Sequence, residues 1–139
     1  MTNETKYTKP LPRPNRLSRP YWDAAKEHKL VIQHCKTCGE KWMCPSNRCP
    51  ECLNMDVEWI PVSGKGKLWS WVIFHQLYYD GFRADLPYNV AYVELEEGPR
   101  ARLCTNLVGD ISKAKCDAPV EVVFDDVTPE ITLPKFRLI

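Results

Sequence analysis

The sequence has the size and composition of a small globular protein. It contains 139 residues, of which 44% are hydrophobic and 27% are charged, and its formal net charge at pH 7 is +1. This balance excludes a disordered chain, and no apolar run approaches the roughly 20 residues that cross a bilayer. The Thr-, Lys- and Pro-rich start has no apolar signal-peptide core, so we expect a cytoplasmic protein without membrane contact.

Charge is unevenly distributed along the chain. Residues 1–34 carry seven basic and three acidic side chains, whereas residues 57–139 carry nine basic and twelve acidic side chains. Proteins that bind nucleic acid usually concentrate positive charge on the binding domain, because phosphate contacts supply most of the affinity. The acidic balance of the larger part therefore argues against nucleic acid as a partner.

Residues 1–17 are predicted to form an extended, basic, Pro-rich arm. Pro10, Pro12 and Pro14 exclude the interior of a helix, and the segment has little apolar surface to bury. Two interpretations stay open. The arm is either a flexible terminus or a segment that becomes ordered only against a partner.

A short helix is predicted from Ser18 to about His28. Ser18 can cap its N-terminus, and Pro20 is tolerated in the first turn, where the amide hydrogen has no helical partner. Tyr21 and Trp22 bring more apolar surface than so short a helix can hide. They either pack against the module that follows or cover a neighbouring subunit.

Two Cys-x-x-Cys pairs follow, with ten residues between them: Cys35 and Cys38, then Cys49 and Cys52. Four thiolates at this spacing can surround one metal ion tetrahedrally and leave no open position for water or substrate. The pattern predicts a structural zinc site in a rubredoxin-like ribbon, with iron as the competing ion. Two disulfides or a redox dithiol are the alternative, which a pair of such motifs disfavours.

The other cysteines, His34 and Trp59 are not predicted to be metal ligands. Cys44, Cys104 and Cys116 are predicted to be reduced thiols outside the site. His34 adjoins the first pair and is interpreted as a strand residue or as a donor to a ligand. Trp59, on the strand that leaves the ribbon, is expected to cover it.

Residues 63–139 are predicted to be entirely β. The predicted strands span residues 68–79, 88–95, 100–107, 120–125 and 131–138, and the last is an edge strand because Pro134 interrupts its ladder. Five short strands after a Gly-Lys-Gly segment fit a small OB-fold barrel, with an open sandwich as the alternative. The predicted fold is thus mainly β: the arm (1–17), a helix and zinc ribbon (18–62), and a five-stranded OB-fold barrel (63–139).

No catalytic motif is recognisable in the sequence. It has no Gly-x-Ser-x-Gly elbow, Gly-x-Gly-x-x-Gly loop, P-loop or His-Glu-x-x-His motif. A metal held by four thiolates has no place for a substrate. We therefore predict no catalytic residues and a binding or accessory module rather than an enzyme.

The order of the motifs resembles one known family. The motifs are the helix with its aromatic pair, the two cysteine pairs, Gly64-x-Gly66 before an aromatic strand, Pro87-Tyr88, Val93 to Gly98, and Pro119 to Phe124. In this order they are similar to the acyl-CoA-associated zinc-ribbon/OB-fold family, formerly a family of unknown function. The resemblance covers residues 18–137. Asp117-Ala118 departs from the Gly-Met that the family often has there.

The resemblance implies a small subunit that accompanies thiolase-like enzymes, such as heteromeric thiolases and thiolase-fold C–C bond lyases. Related chains pair with hot-dog-fold hydratases. In such complexes the large partner supplies the catalytic Cys and His. The small subunit docks on that partner and helps to shape the acyl-CoA channel, with a CoA thioester as the ligand of the complex.

Two regions are candidates for contact with such a partner. The segment 78–87 is loop-like yet carries three aromatic residues, which either plug the end of the barrel or meet the partner or its acyl chain. The arginines near the arm either cross the partner or meet CoA phosphates. The candidate contact residues are Arg13, Arg16, Arg19, Tyr21, Trp22, Tyr78, Tyr79, Phe82 and Arg83.

Two other functions compete with this one. A nucleic-acid-binding ribbon/OB protein could stack bases on Trp69, Trp71 and Phe74, and salt-dependent affinity for single strands would indicate it. A stand-alone acyl-CoA-binding protein or small enzyme would bind or turn over a CoA thioester without a partner.

Overall fold

The structure is a computed structural model that describes residues 7–139, so the first six residues of the predicted arm lie outside it. The elements are helix α1 (Arg19–Lys26), strands β1 (Val31–Cys35), β2 (Lys41–Trp42), β3 (Val57–Pro61) and β4 (Lys65–Phe74), the short 3₁₀ helix η1 (Asp80–Asp85), and strands β5 (Tyr88–Leu95), β6 (Arg102–Thr105), β7 (Pro119–Asp126) and β8 (Thr132–Leu138). The mainly β fold with an N-terminal helix is confirmed. None of the described helices is long and apolar enough to cross a membrane.

Helix α1 begins directly after Ser18, as predicted, but the Ser18 hydroxyl does not cap it. Instead, the hydroxyl accepts a hydrogen bond from the amide of Asn15 (3.1 Å), and the side-chain oxygen of Asn15 accepts one from the amide of Ser18 (2.8 Å). This reciprocal pair turns the arm into the helix. Tyr21 is buried, and Trp22 packs edge-on against it at 4.9 Å in the core of the same chain.

The ribbon is a three-stranded antiparallel sheet in the order β2-β1-β3. Strands β1 and β3 agree with the predicted ones. Strand β2 was not predicted, because two residues are too few to show an alternating pattern.

The second sheet has five antiparallel strands in the order β6-β5-β4-β7-β8. It curls until its outer strands meet at a single parallel bridge between Leu107 and Phe136. There the amide of Phe136 donates to the carbonyl of Asn106 (3.1 Å), and the amide of Val108 donates to that of Phe136 (2.8 Å). This partly closed sheet confirms the OB-fold prediction and the position of β8 at an edge.

The boundaries of two strands differ from the prediction. Strand β4 begins at Lys65, before the predicted start, and ends at Phe74 rather than continuing to residue 79. Strand β6 covers only 102–105 of the predicted 100–107. Apolar and aromatic side chains continue past both strands, but the backbone there turns away from the sheet, which composition does not reveal.

One hydrophobic core joins the helix, the ribbon and the OB sheet. Tyr21 of α1 and Ile32 of β1 lie in the same cluster as the fully buried Leu68, Val93 and Phe136 of the OB sheet. The predicted divisions after residues 17 and 62 stay predictions.

Gly66, like Lys67, is paired with strands on both sides of β4, and it lies opposite Leu95 of β5 and Val120 of β7. A Cβ atom there would lie 2.2 Å from the carbonyl oxygen of Glu94. We expect Gly66→Ala to lower the free energy of unfolding by about 2 kcal/mol or more, because backbone must move to admit the methyl group. Urea denaturation measures this, and Ser70→Ala, at an exposed site of the same strand, should change it by less than about 0.5 kcal/mol. Equal midpoints for the two variants would contradict the prediction.

Candidate metal centre

The sulfur atoms of Cys35, Cys38, Cys49 and Cys52 converge at one end of the ribbon. All four lie within 4.8 Å of one another, with 3.6 Å between Cys35 and Cys52 and 3.5 Å between Cys38 and Cys49. Four sulfurs at the usual 2.3 Å around a tetrahedral zinc ion would be about 3.8 Å apart. The residues present therefore fit such an ion. The closest sulfurs are too far apart for the 2.05 Å bond of a disulfide, which contradicts the disulfide alternative.

Both cysteine pairs use the same turn. The amide of Gly39 donates to the carbonyl of Cys35 (2.9 Å), and the amide of Leu53 donates in the same way to the carbonyl of Cys49 (2.9 Å). Each donor residue has a positive φ, +82° at Gly39 and +63° at Leu53. Glycine adopts this conformation without steric cost, so the first turn is visible in the sequence. The second is not, because Leu53 gives no such signal.

Backbone amides favour the thiolate form of the cluster. The amide of Cys38 donates to the sulfur of Cys35 (3.5 Å), and this contact is the main cause that lowers the pKa of Cys35 to about 6. The amide of Glu40 acts to lower the pKa of Cys38, but burial and the neighbouring thiols raise it to about 12. A second thiolate beside the first is unfavourable because the two negative charges repel each other. Four thiolates therefore need a cation between them. A soft-ligand divalent ion such as Zn²⁺ supplies that charge.

The remaining candidate ligands lie outside the cluster. Cys44, Cys104 and Cys116 are exposed free thiols, as predicted. His34 pairs through Nδ1 with the carboxylate of Glu58 on the neighbouring strand at 2.7 Å, so it acts as a strand residue.

Trp42, not Trp59, packs against the cysteines. Trp42 is 3% exposed and lies with Cys35 and Cys49 in a small separate core, whereas Trp59 packs against the main core. The prediction for Trp59 was wrong because β2 folds back on β1 and carries Trp42 to the sulfurs. The sequence of β2 gives no sign of that return.

The second cysteine pair also contacts the OB sheet. Glu51, inside this pair, forms an ion pair with Arg100 at 2.7 Å, and the amide of Met43 donates to the carbonyl of Arg100 at 3.1 Å. Arg100 lies in the turn between β5 and β6. Because the ion pair is largely exposed it adds little stability, but together these contacts fix the turn against the cysteine loops.

Comparison with known proteins identifies the family. Residues 22–58 match the model of the ChsH2 rubredoxin-like zinc ribbon domain, and residues 59–125 match that of the ChsH2 C-terminal OB-fold domain. The chain belongs to the ChsH2 zinc-ribbon/OB-fold family. The family resemblance of the motifs is thereby confirmed, as is the assignment of the cysteines to a zinc ribbon.

Relatives in this family carry several descriptions. A probable enoyl-CoA hydratase alpha subunit of Thermomonospora curvata is 39% identical over 95% of this chain and 40% of its own length. The benzoylsuccinyl-CoA thiolase subunit BbsA of Geobacter metallireducens is 30% identical over 67% of this chain and 60% of its own. A DUF35 domain-containing scaffold protein of Methanothermobacter thermautotrophicus is 34% identical over 74% and 77%. The chain thus spans less than two thirds of the hydratase and thiolase relatives.

Two solved structures share the fold. A chain of the Ltp2-ChsH2(DUF35) aldolase has a TM-score of 0.81 and 37% identity, and the match covers 92% of this chain and 98% of that one. A DUF35-family protein of unknown function from Sulfolobus solfataricus has a TM-score of 0.61 at 13% identity, covering 90% and 87%. The second match shows the fold alone.

Three aromatic residues of the predicted contact set, Tyr78, Tyr79 and Phe82, gather with Phe74 and Tyr88 beside the end of β4. Measured between ring centroids, Phe74 lies 5.3 Å from Tyr88 and 6.0 Å from Tyr78. By the same measure, Phe82 lies 4.8 Å from Tyr88 and 6.2 Å from Tyr79. We call these five residues the loop aromatic cluster. Phe82 and Tyr88 are half-buried, whereas Tyr78 and Tyr79 are 69% and 51% exposed. The cluster thus both closes the end of the sheet and presents two tyrosines to solvent.

Thr8 and Lys9, in the described part of the arm, contact the segment that carries this cluster and so brace it. The hydroxyl of Thr8 donates to the carbonyl of Gly81 (2.9 Å), and the amine of Lys9 pairs with Asp85 (2.6 Å) and lies 5.7 Å from the ring of Phe82. A Cβ atom at Gly81 would lie 2.2 Å from the carbonyl oxygen of Thr8, so only glycine allows this approach. The described part of the arm is therefore packed on its own chain, which neither sequence interpretation foresaw.

The arginines of the contact set differ in their ion pairs. Arg13, Arg16 and Arg19 are exposed, and within residues 7–139 none of them forms an ion pair. Arg83 is exposed and pairs with Asp80 at 3.1 Å. The cationic groups on the arm and the helix start are thus available to an anion.

We expect Cys49→Ser to abolish the metal content of about one ion per chain, because three thiolates leave the tetrahedron incomplete. The ribbon should then lose its fixed structure. Elemental analysis of purified protein measures the ion and separates zinc from iron, and thermal unfolding follows the structure. The matched control is the triple variant Cys44→Ser, Cys104→Ser and Cys116→Ser, which should keep the ion. Metal lost from the triple variant, or kept in Cys49→Ser, would contradict the assignment.

Proposed function

We propose that this chain is a non-catalytic, zinc-binding accessory subunit of a thiolase-type acyl-CoA enzyme, either a heteromeric thiolase or a thiolase-fold C–C bond lyase. It docks on the catalytic subunit and helps to shape the acyl-CoA site. The observation that carries the proposal is the match to nearly the whole ChsH2(DUF35) chain of an aldolase at 37% identity. The similarity to the thiolase subunit BbsA supports the same class of partner.

The role of the metal in this proposal is structural. Cys35, Cys38, Cys49 and Cys52 hold zinc, which, when bound by four thiolates, stabilises the ribbon and leaves no position for substrate. The ribbon in turn holds the β5–β6 turn through Arg100.

The contacts of His28 and His34 fit a structural role. His28 binds both carboxylate oxygens of Asp126 at 3.0 Å and stacks on Phe124, which ties the end of α1 to the β7–β8 hairpin. The hydroxyl of Thr132 donates to the same carboxylate rather than to the imidazole.

The loop aromatic cluster is the proposed docking surface. Exposed tyrosines are rich in contact area and often dominate the energy of interfaces. The brace from Thr8 and Lys9 holds the cluster in place before a partner arrives, which reduces the entropy lost on binding. Tyr78, Tyr79, Phe82 and Arg83 are therefore assigned to the contact with the catalytic subunit, whereas Tyr21 and Trp22 pack in the core of this chain.

We expect the double variant Tyr79→Ser and Phe82→Ser to weaken co-purification with the thiolase-like subunit by about ten-fold or more, because an interface loses two aromatic anchors. Pull-down with that subunit measures the effect. The zinc content should stay at the wild-type value. Ile139→Ser is the control, because Ile139 is 69% exposed and follows β8, away from the cluster. Undiminished assembly of the double variant would reject this docking surface.

Arg13, Arg16 and Arg19, which form no ion pair with residues 7–139, support a contact with coenzyme A. Arg16 lies at the edge of an open groove of about 650 Å³, which Met55, Val57 and Trp59 of the ribbon also line. The phosphates of CoA need cationic partners, and arginine binds phosphate with paired N–H groups. Arg13, Arg16 and Arg19 are thus proposed to face the CoA end of the ligand in the complex.

We expect the triple variant Arg13→Ala, Arg16→Ala and Arg19→Ala to raise the KM of the assembled enzyme for its CoA thioester by about ten-fold, with a smaller change in kcat. Steady-state kinetics of the complex measures both constants. Lys113→Ala with Lys115→Ala removes two exposed cations from another loop and should have no effect. These substitutions test the arginines alone, whereas deletion of residues 1–17 would also remove Thr8 and Lys9. An unchanged KM would exclude the contact.

A second candidate function is an accessory module of an acyl-CoA hydratase. The probable hydratase alpha subunit of Thermomonospora curvata favours it, because the similarity covers 95% of this chain. Parallel pull-downs with a thiolase-like subunit and with a hydratase-like subunit distinguish the two candidate functions. Assembly with the hydratase alone would replace the thiolase assignment and keep the accessory role.

A further inference from the structure

Strand β4 has a hydrogen-bonding edge without a partner. It pairs with β5 from residue 66 to residue 74, but with β7 only from residue 65 to residue 67. The loop before β7 adds two hydrogen bonds to Leu68. From Trp69 to Phe74, no described residue hydrogen-bonds to this second side of the strand. We call this side of residues 69–74 the β4 edge.

The β4 edge lacks the protection that natural sheet edges carry. Such edges usually have charged residues, prolines or bulges that prevent pairing with another chain. Residues 68–79 contain no Asp, Glu, Lys, Arg or Pro, and the one bulge lies at the start of the edge, between Leu68 and Ser70. Trp69, Val72 and Ile73 are 44%, 53% and 39% exposed. The edge is thus open, apolar and competent to accept a strand.

The size of the edge indicates what covers it. Six strand residues span about 20 Å, and at a sheet thickness of about 10 Å they offer about 200 Å². A stable interface needs about 800 Å² on each partner. A second copy of this chain paired only through this edge would fall short. The loop aromatic cluster begins at Phe74, where the edge ends, so a larger partner can cover both surfaces at once.

We propose that the β4 edge receives an extended strand of the catalytic subunit, which thereby continues the OB sheet. This inference rests on the proposed function and deepens it. Backbone hydrogen bonds hold the added strand, and its side chains meet Trp69 and Val72. The strand is uncharged over about six residues, because a charge placed against this edge would be desolvated without a counter-ion. The exposed tyrosines then complete the interface.

Hydrogen exchange of the wild-type complex tests the added strand directly. The purified chain is compared with the same chain bound to the thiolase-like subunit. Outward-facing amides within residues 69–74 should exchange at least ten-fold more slowly in the complex, because they gain hydrogen-bond acceptors. Amides of β1, which lies inside the ribbon sheet, serve as the internal reference. Unchanged exchange in residues 69–74 of the complex overturns the proposal.

Substitution of Val72 tests the same edge by affinity. Val72→Lys should weaken binding to the thiolase-like subunit at least ten-fold, whereas Val72→Thr, which keeps the β-branched shape, should bind nearly as the wild type does. Ile139→Lys controls for the added charge at another exposed site, because Ile139 is 69% exposed and follows β8, away from residues 69–74. Zinc content and circular dichroism establish that each variant is folded. Wild-type affinity of Val72→Lys overturns the proposal.

The outcomes separate this inference from the proposed function. If the wild-type chain binds no thiolase-like subunit, the proposed function fails and the inference fails with it. If the subunit binds and only the variant at Tyr79 and Phe82 loses it, the function stands and the β4 edge is excluded. Light scattering of the chain alone tests whether a second copy of this chain pairs with the β4 edge. A dimer that Val72→Lys dissociates would assign the edge to a second copy and overturn the proposal.

Discussion

The convergence of four cysteine sulfurs within 4.8 Å is the constraint on which the structure depends. The ribbon has three short strands and little core of its own, and Trp42 with two of the cysteines forms most of it. Such a module is too small to be stable by apolar burial alone, so a metal supplies the missing free energy. The fixed ribbon then presents β1 to the main core and Glu51 to Arg100.

Strand β4 connects the rigid part of the molecule to its open surface. Its first half is held on both sides, at Gly66 by close backbone contact and at Leu68 by complete burial. Its second half is held on one side and leads into the loop aromatic cluster. The same strand therefore belongs to the core at one end and offers an apolar surface at the other, which is consistent with the proposed accessory role.

The site could be predicted from the sequence where the signal is local. The spacing of Cys35, Cys38, Cys49 and Cys52 determines which sulfurs can surround one ion, because each pair needs only its own turn to present two ligands. Alternation of apolar and polar residues likewise located most strands of the OB sheet. The short β2 and the packing of Trp42 gave no signal, because each depends on pairing with another segment of the ribbon. The turn at Leu53 gave none because leucine, unlike glycine, does not mark a positive φ.

The sequence by itself determined the family, the metal-binding chemistry and the mainly β architecture, since these follow from residue type and spacing along the chain. Only the tertiary structure decided that Tyr21 belongs to the core, that Thr8 and Lys9 brace the aromatic loop, and that residues 69–74 have one unpaired edge. The physical reason is that burial and strand pairing are relations between segments far apart in sequence. A residue carries its own chemistry but not the identity of its neighbour in space.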